Sequence, residues 1–465
     1  VTLNQGTLSL GNTAALGSGT LVINGGNLDV TGSTALSTNN VQSWAGNFQF
    51  IGTNDLDLGT GAVTLTGNRT VGVLAGTLTV GGGIGGAGFG ITKVGSGTLA
   101  LNGSNTFSGG IALTAGQLSI GSAAALGSGT LSTILVSNST QLNYTGSTSI
   151  TVPNAISLGS AGAALGRFTI SKTGSAVLDI NLAGAITGGG TGSVLYFNTP
   201  ANADSLSTLT LSGSNSFLGR IQLNRGSLVV NNLAAFGDPT TEVYINSYVD
   251  STNGNLRFAV SGTFPNPINN PQATYLNTIS TGANDVTLSG SMYGAGGLTK
   301  LGSGTLTLTG SNTFTSFTAI SGGTLRMGNA AALSAGTNSL TLNAGTLDVN
   351  GYPLTVGLLT GSAGTLITNG NAAAVALTAN SASSGTFAGS IADGLGALSF
   401  EKQGAGLLVL SGSNAYSGAT TVTTGTLQIG AGGSSGSISG ASAVAIAGGA
   451  TLRFARTDAY GGAFT

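Results

Sequence analysis

The chain has 465 residues, 82 of them Gly, with 40% hydrophobic and only 5% charged residues, so a core can form while its polar covering must come from Ser, Thr, Asn and Gly. Twelve Lys plus Arg against thirteen Asp plus Glu leave a net charge of −1, and such a chain has no field to gather nucleic acid or an anionic membrane. The absence of Cys and His excludes disulfides, thiol nucleophiles, Cys/His zinc sites and any triad with an imidazole base.

The chain opens at Val1 with VTLNQGTLSL, a strand-like alternation that continues a repeat already under way. No Met, charged leader or apolar signal core precedes it, so any export signal is expected outside these residues. No apolar run reaches the ~18 residues that a membrane-spanning helix needs, and no membrane insertion is expected from this stretch. In TNDLDLGT, Asp55 and Asp57 project to one face of a strand. They read as a solvent-facing pair, since no calcium loop accompanies them. The run GGGIGGAGFG at 81–90 lacks the Lys-Ser/Thr ending and the following helix of a phosphate cradle.

Four gap-free copies of one segment follow. They are GTLALNGSNTFSGGIALTAGQLSI around Asn105, STLTLSGSNSFLGRIQLNRGSLVV around Asn215, GTLTLTGSNTFTSFTAISGGTLRM around Asn312, and GLLVLSGSNAYSGATTVTTGTLQI around Asn414. Apolar pairs keep fixed places: Leu99/Leu101, Leu209/Leu211, Leu306/Leu308 and Leu408/Leu410 come before the turn. Nineteen residues later come Leu118/Ile120, Leu228/Val230, Leu325/Met327 and Leu427/Ile429. Similar steps separate Gly323, Gly345 and Gly364, each opening a Gly-Thr-Leu.

Alternation as in Leu306-Thr307-Leu308 has period two and predicts strands buried on one face. A unit of about 20 residues cannot close a core alone, so it must stack on its neighbours. The predicted fold is all-β, a right-handed parallel β-helix of about 20 residues per coil and about 23 rungs, roughly 110 Å at ~4.8 Å per rung. One continuous solenoid over 1–465 is expected, in modules 1–90, 91–204, 205–297, 298–399 and 400–465, with the first and last partial. The stretches 32–90, 132–204, 239–297 and 352–399 are more degenerate. Four of the seven prolines fall between Asp238 and Gln272, which predicts a loop excursion over 238–272, because Pro cannot donate to a ladder.

Candidate sites are weighed against plainer roles. Lys93, Lys300 and Lys402 share one phase of the module and read as edge lysines serving solubility. Phe107, Phe217, Phe314 and Tyr416 read as packing residues rather than glycan platforms. Asn105, Asn215, Asn312 and Asn414 read as corner residues bonded locally. Asp29, Asp179, Asp204, Asp250, Asp348 and Asp393 are isolated in sequence, whereas a glycoside-cleaving enzyme needs converging acids. Asn138, in NST, matches an N-linked glycosylation acceptor. The Thr305/Thr307/Thr309 row is not expected to persist from coil to coil, which argues against ice binding. No residue is assigned to catalysis, a cofactor or a metal, and the chain is read as a non-enzyme.

The segment ITKVGSGTLALNGSNTFSGGIALTAGQLSI, with LTKLGSGTLTLTGSNTF and FEKQGAGLLVLSGSNAYSGATTVTTGTLQI, resembles the passenger-associated transport repeat, also called the autotransporter-associated β-strand repeat. Lys93, Gly97, Thr98, Leu99, Gly103, Asn105, Thr106, Phe107, Gly116 and Leu118 carry the match in the clearest copy, and the copy at Asn215 lacks the Lys and Gly-Thr. The resemblance implies a right-handed parallel β-helix exported to the bacterial surface or beyond, and no particular reaction. The expected function is an extracellular stalk, sheath or filament with adhesion as a further task. A glycan-binding passenger adhesin is the alternative, and a polysaccharide-active enzyme the remote one. Expected partners are further copies of the chain, head to tail or lateral, and a glycan or surface ligand. Both ends, including Tyr460–Thr465, fall inside a repeat, which leaves open a window on a longer chain or ends that meet in a fibre.

Overall fold

The computed structural model describes residues 1–32, 36–133, 140–159, 166–173, 177–198, 207–246, 255–273, 278–334, 338–440 and 443–458. The period-two segments form short strands whose alternate residues are buried. In Thr305–Leu308, Leu306 and Leu308 are buried while Thr305 and Thr307 are half-buried. The chain is a parallel β-solenoid of about 19 turns with ~22 residues per turn, so the coils are fewer and longer than the repeat spacing alone suggests. Its two compact units are Val1–Val243 and Tyr244–Thr465.

In the first unit one inward column runs Leu56, Leu78, Leu99, Leu118, Leu142, Ile170, Phe197 and Leu223, each in register with the next on a parallel strand. All eight side chains are at most 2% exposed. Nineteen residues separate Leu99 from Leu118, but twenty-eight separate Leu142 from Ile170. The inward column therefore stays in register across a longer coil of the degenerate stretch. Near its end the ladder shifts between Gly189 and Val194.

In the second unit the matching column is Val286, Leu306, Leu325, Leu347, Ile367 and Ile391, again almost fully buried. All four nineteen-residue steps of the sequence pair directly: Leu99 with Leu118, Leu209 with Leu228, Leu306 with Leu325, and Leu408 with Leu427. Burying these columns away from water is the main stabilising term. One phrase departs from the pattern. Leu366 of the third Gly-Thr-Leu pairs with Thr346, and Ile367 takes the inward place over Leu347. Within 238–272 the described residues include strands Glu242–Ile245, Leu256–Phe258, Gly262–Phe264 and Ile268–Asn269. Pro239, Pro265, Pro267 and Pro271 all lie outside these strands.

Candidate functional site

The repeat's lysines are the first departure from the sequence reading, because they are core residues and not edge residues. Lys93 stands in an inward column between Val71 and Leu113, Lys300 between Ile279 and Ile320, and Lys402 between Ala379 and Val422. Each is at most 2% exposed, as is Lys172, so all four lysines of the chain are buried. Period-two alternation already carried this signal, since Ile91 and Lys93, Leu298 and Lys300, and Phe400 and Lys402 share faces.

The ammonium of each of the three repeat lysines has three protons and meets three backbone carbonyls. Lys93 Nζ donates to Val94 O (3.1 Å), Gly95 O (2.7 Å) and Ala115 O (3.2 Å). Lys300 donates to Leu301 O (2.9 Å), Gly302 O (2.9 Å) and Gly322 O (3.1 Å). Lys402 donates to Gln403 O (2.7 Å), Gly404 O (2.7 Å) and Thr424 O (3.4 Å). The glycine two residues after each lysine has positive φ, +84° at Gly95 and Gly302 and +77° at Gly404, which a side chain would resist. The third acceptor belongs to the next coil, so the ammonium ties two coils at a corner. Burial pushes Lys93 and Lys300 down to about 8 and lowers Lys402 as well, while the carbonyls act in the opposite direction by favouring the charged form. The ion pairs seen among the described residues, Arg220–Glu242, Arg326–Asp348 and Arg456–Asp458, all use arginine.

The repeat's asparagines also reach beyond their own corner. Asn105 Oδ1 accepts from Ile84 N (2.8 Å) while Nδ2 donates to Ala125 O (2.6 Å). Asn215 links Ile186 and Ala235, and Asn312 links Met292 and Ala332, at 2.6–2.8 Å. Asn414 links Ile391 and Ser437. Each asparagine therefore joins the coil before it to the coil after it, contrary to the local role read from sequence. Three of the upper acceptors lie in a recurring turn, SAAALG, NLAAFG and NAAALS, whose Leu126, Phe236 and Leu333 are buried. That recurrence was visible in the sequence and marks the asparagines' partners. Phe107, Phe217, Phe314 and Tyr416 are at most 1% exposed. They are packing residues, and the Tyr416 hydroxyl bonds Thr420 Oγ1 at 2.7 Å.

The acids are held one by one. Asp29 accepts from Thr53, Asp55 from Thr77 N (2.7 Å), Asp57 from Gly59 N (2.8 Å) and Asp179 from Thr208 Oγ1. Asp393 accepts from Leu398 N and Ser417 N. Asp348 is buried against Arg326 Nε (2.8 Å) and the amides of Asn350 and Gly370. No three His, Cys, Asp or Glu converge among the described residues. Asp204, Asp250, Asn138 and Tyr460–Thr465 lie outside the described residues. Ile84 and Gly85, in the Gly-rich run, form a strand over Val63 and Thr64. The Thr305 row continues through Thr324 and Thr346 before ending at Leu366, and the Thr307 row ends at Arg326.

The outward lanes of the first unit carry shallow grooves. One of about 360 Å³ is lined by Asn27, Asn47, Gln49 and Thr70, and another of about 290 Å³ by Asn68, Thr92, Thr130 and Ser132. A third, of about 270 Å³, runs beside Arg220 and Glu242. Near it Arg167 lies over the Tyr196 ring, 5.0 Å from the centroid. Burial raises the Tyr196 hydroxyl above the usual phenol range, while the charges of Arg167 and Arg225 pull it back. The sequence reading missed this group, although Gly166-Arg167-Phe168 and Gly219-Arg220-Ile221 repeat one phrase.

The family described as passenger-associated-transport-repeat matches residues 91–120, 206–230, 298–327 and 400–429. These segments contain Lys93, Lys300 and Lys402 and all four bridging asparagines. The chain is also similar to a protein named adhesin BmaC autotransporter from Brucella suis biovar 1 (strain 1330), with 33% identity over 416 residues. That match covers 88% of this chain and 11% of the relative's length. No solved structure matches the chain.

Proposed function

We propose, from the premise that the chain is a passenger-associated transport repeat protein built as a parallel β-solenoid, that its work is display: it holds binding lanes away from a bacterial cell as part of an adhesin. The observation that carries this reading is the division of labour in each coil. Aliphatic columns, caged lysines and bridging asparagines face inward, while outward lanes of the first unit carry shallow grooves lined by Asn, Gln, Thr and Ser. Such a solenoid has reach without turnover. The separately held acids support a non-catalytic role, and the relative's name supports adhesion at the surface.

The test is adhesion by cells that display the chain between an export signal and an outer-membrane anchor. Cells with the chain are expected to adhere to a glycan-bearing surface, and cells with the anchor alone are not. Equal adhesion by both would overturn the reading. Lateral or head-to-tail self-association is a second reading, supported by a net charge of −1 that leaves little repulsion between copies. Sedimentation tests it: concentration-dependent growth supports filaments, and a constant monomer refutes them.

A further inference from the structure

In a chain with eight arginines, Arg167 and Arg220 share one lane of the first unit. Arg167, Val194 and Arg220 follow one another in register on three successive strands, and Thr169, Tyr196 and Gln222 form the lane beside them. Two rungs of ~4.8 Å put Arg167 and Arg220 about 10 Å apart along the solenoid. Arg167 covers one side of Tyr196 at 5.0 Å. Arg220 is partnered by Glu242, and the groove of about 270 Å³ beside that pair is lined also by Thr191 and Thr240. Asn224 Nδ2 bonds Asn198 Oδ1 at 2.9 Å close by.

We propose that this face, Arg167, Tyr196 and Arg220 with the Thr191–Thr240 groove, binds a carboxylate-bearing saccharide such as a uronic-acid oligomer. Arg167, exposed on its strand, supplies planar donors suited to a carboxylate. The surrounding Thr169, Gln222, Thr191 and Thr240 suit a chain of neutral hydroxyls between the charges. Nucleic acid would need a continuous basic stripe to neutralise successive phosphates, and the lane holds Val194 and Tyr196 where such a stripe would need cations. The inference deepens the display reading by naming a ligand class, and its test uses purified chain in solution, so the two readings fail separately.

Isothermal titration of the purified chain with a trigalacturonate oligomer is the experiment. Binding is expected, weakening as salt is added, with no binding of a neutral trisaccharide. Arg167→Ala is expected to weaken binding about tenfold or more. Arg453→Ala, which removes the same charge from an exposed strand residue of the second unit, should leave it unchanged. Arg167→Gln, at the same exposed side chain, carries the test if the alanine variant does not fold. Absence of uronate binding, equal binding of the neutral sugar or of an Asp-rich peptide, or variants that bind as well as the parent would overturn the proposal.

Discussion

Lys300 donates from Nζ to the carbonyl of Gly322, a residue of the following coil, at 3.1 Å. The contact makes a buried cation into an inter-coil tie. Lys300→Met keeps the length of the side chain and removes all three donors. Leu301 O keeps its bond from Thr281 N, whereas the carbonyls of Gly302 and Gly322 lose the ammonium, at a cost of up to about 1–3 kcal/mol each, and loss of the charge's own desolvation cost offsets part of that. The expected outcome is lower hydrogen-exchange protection across 298–327. Protection that is unchanged or raised would show that the cage contributes nothing. Lys300→Arg should also destabilise, because a planar fork cannot aim three donors at one corner.

Burial of all four lysines has a chemical consequence. An amine-reactive ester added to the folded chain is expected to leave Lys93, Lys172, Lys300 and Lys402 unmodified, and to modify all four in denaturant. Mass spectrometry of the digest reads this directly, and rapid labelling of Lys93 or Lys300 under native conditions would contradict it.

The cages also set a pH dependence. Lys93 and Lys300 have folded-state values near 8, below the ordinary 10.5. Between these values the unfolded chain binds more protons than the folded one, so stability rises with pH across that window. Below about 8 the cost of the buried charge is fully present. Exchange protection of 91–120 and 298–327 should therefore increase from pH 8 to 10.5 after correction for intrinsic exchange rates. A decrease would mean that the carbonyls outweigh desolvation.

Asn312 joins Met292 N to Ala332 O. Asn312→Ala leaves both groups unmet inside the corner, with an expected local loss of about 1–3 kcal/mol. Asn312→Asp retains the acceptor but turns an oxygen towards Ala332 O, so it should do no better. Denaturant-dependent exchange in the two neighbouring coils measures the loss, and an Asp variant as stable as the parent would refute the bridging role.

The stacking was legible in the sequence because Leu at a fixed nineteen-residue shift pairs coil on coil, as Leu99 with Leu118. The lysines were misread because charge was allowed to outrank alternation: Lys93 shares a face with Ile91, and three carbonyls at a Gly turn satisfy its ammonium. The asparagine bridges were hidden because their partners lie about twenty residues away on each side, as Ile84 and Ala125 do for Asn105. The arginine face depends on which strands neighbour each other after coils of unequal length, and Arg167 to Arg220 spans such coils. No spacing rule within the repeat places those two residues in one lane.

Register is the claim on which the rest depends, and a cysteine-free chain permits a direct measurement. Thr287 pairs with Thr307, and Thr307 with Arg326. Neighbouring rungs at ~4.8 Å fall within disulfide reach, and residues two rungs apart do not. Under mild oxidation, Thr287→Cys with Thr307→Cys is expected to form an intramolecular disulfide rapidly, and Thr287→Cys with Arg326→Cys is not. Equal crosslinking of both pairs, or crosslinking of the second alone, would contradict the stacked parallel coils.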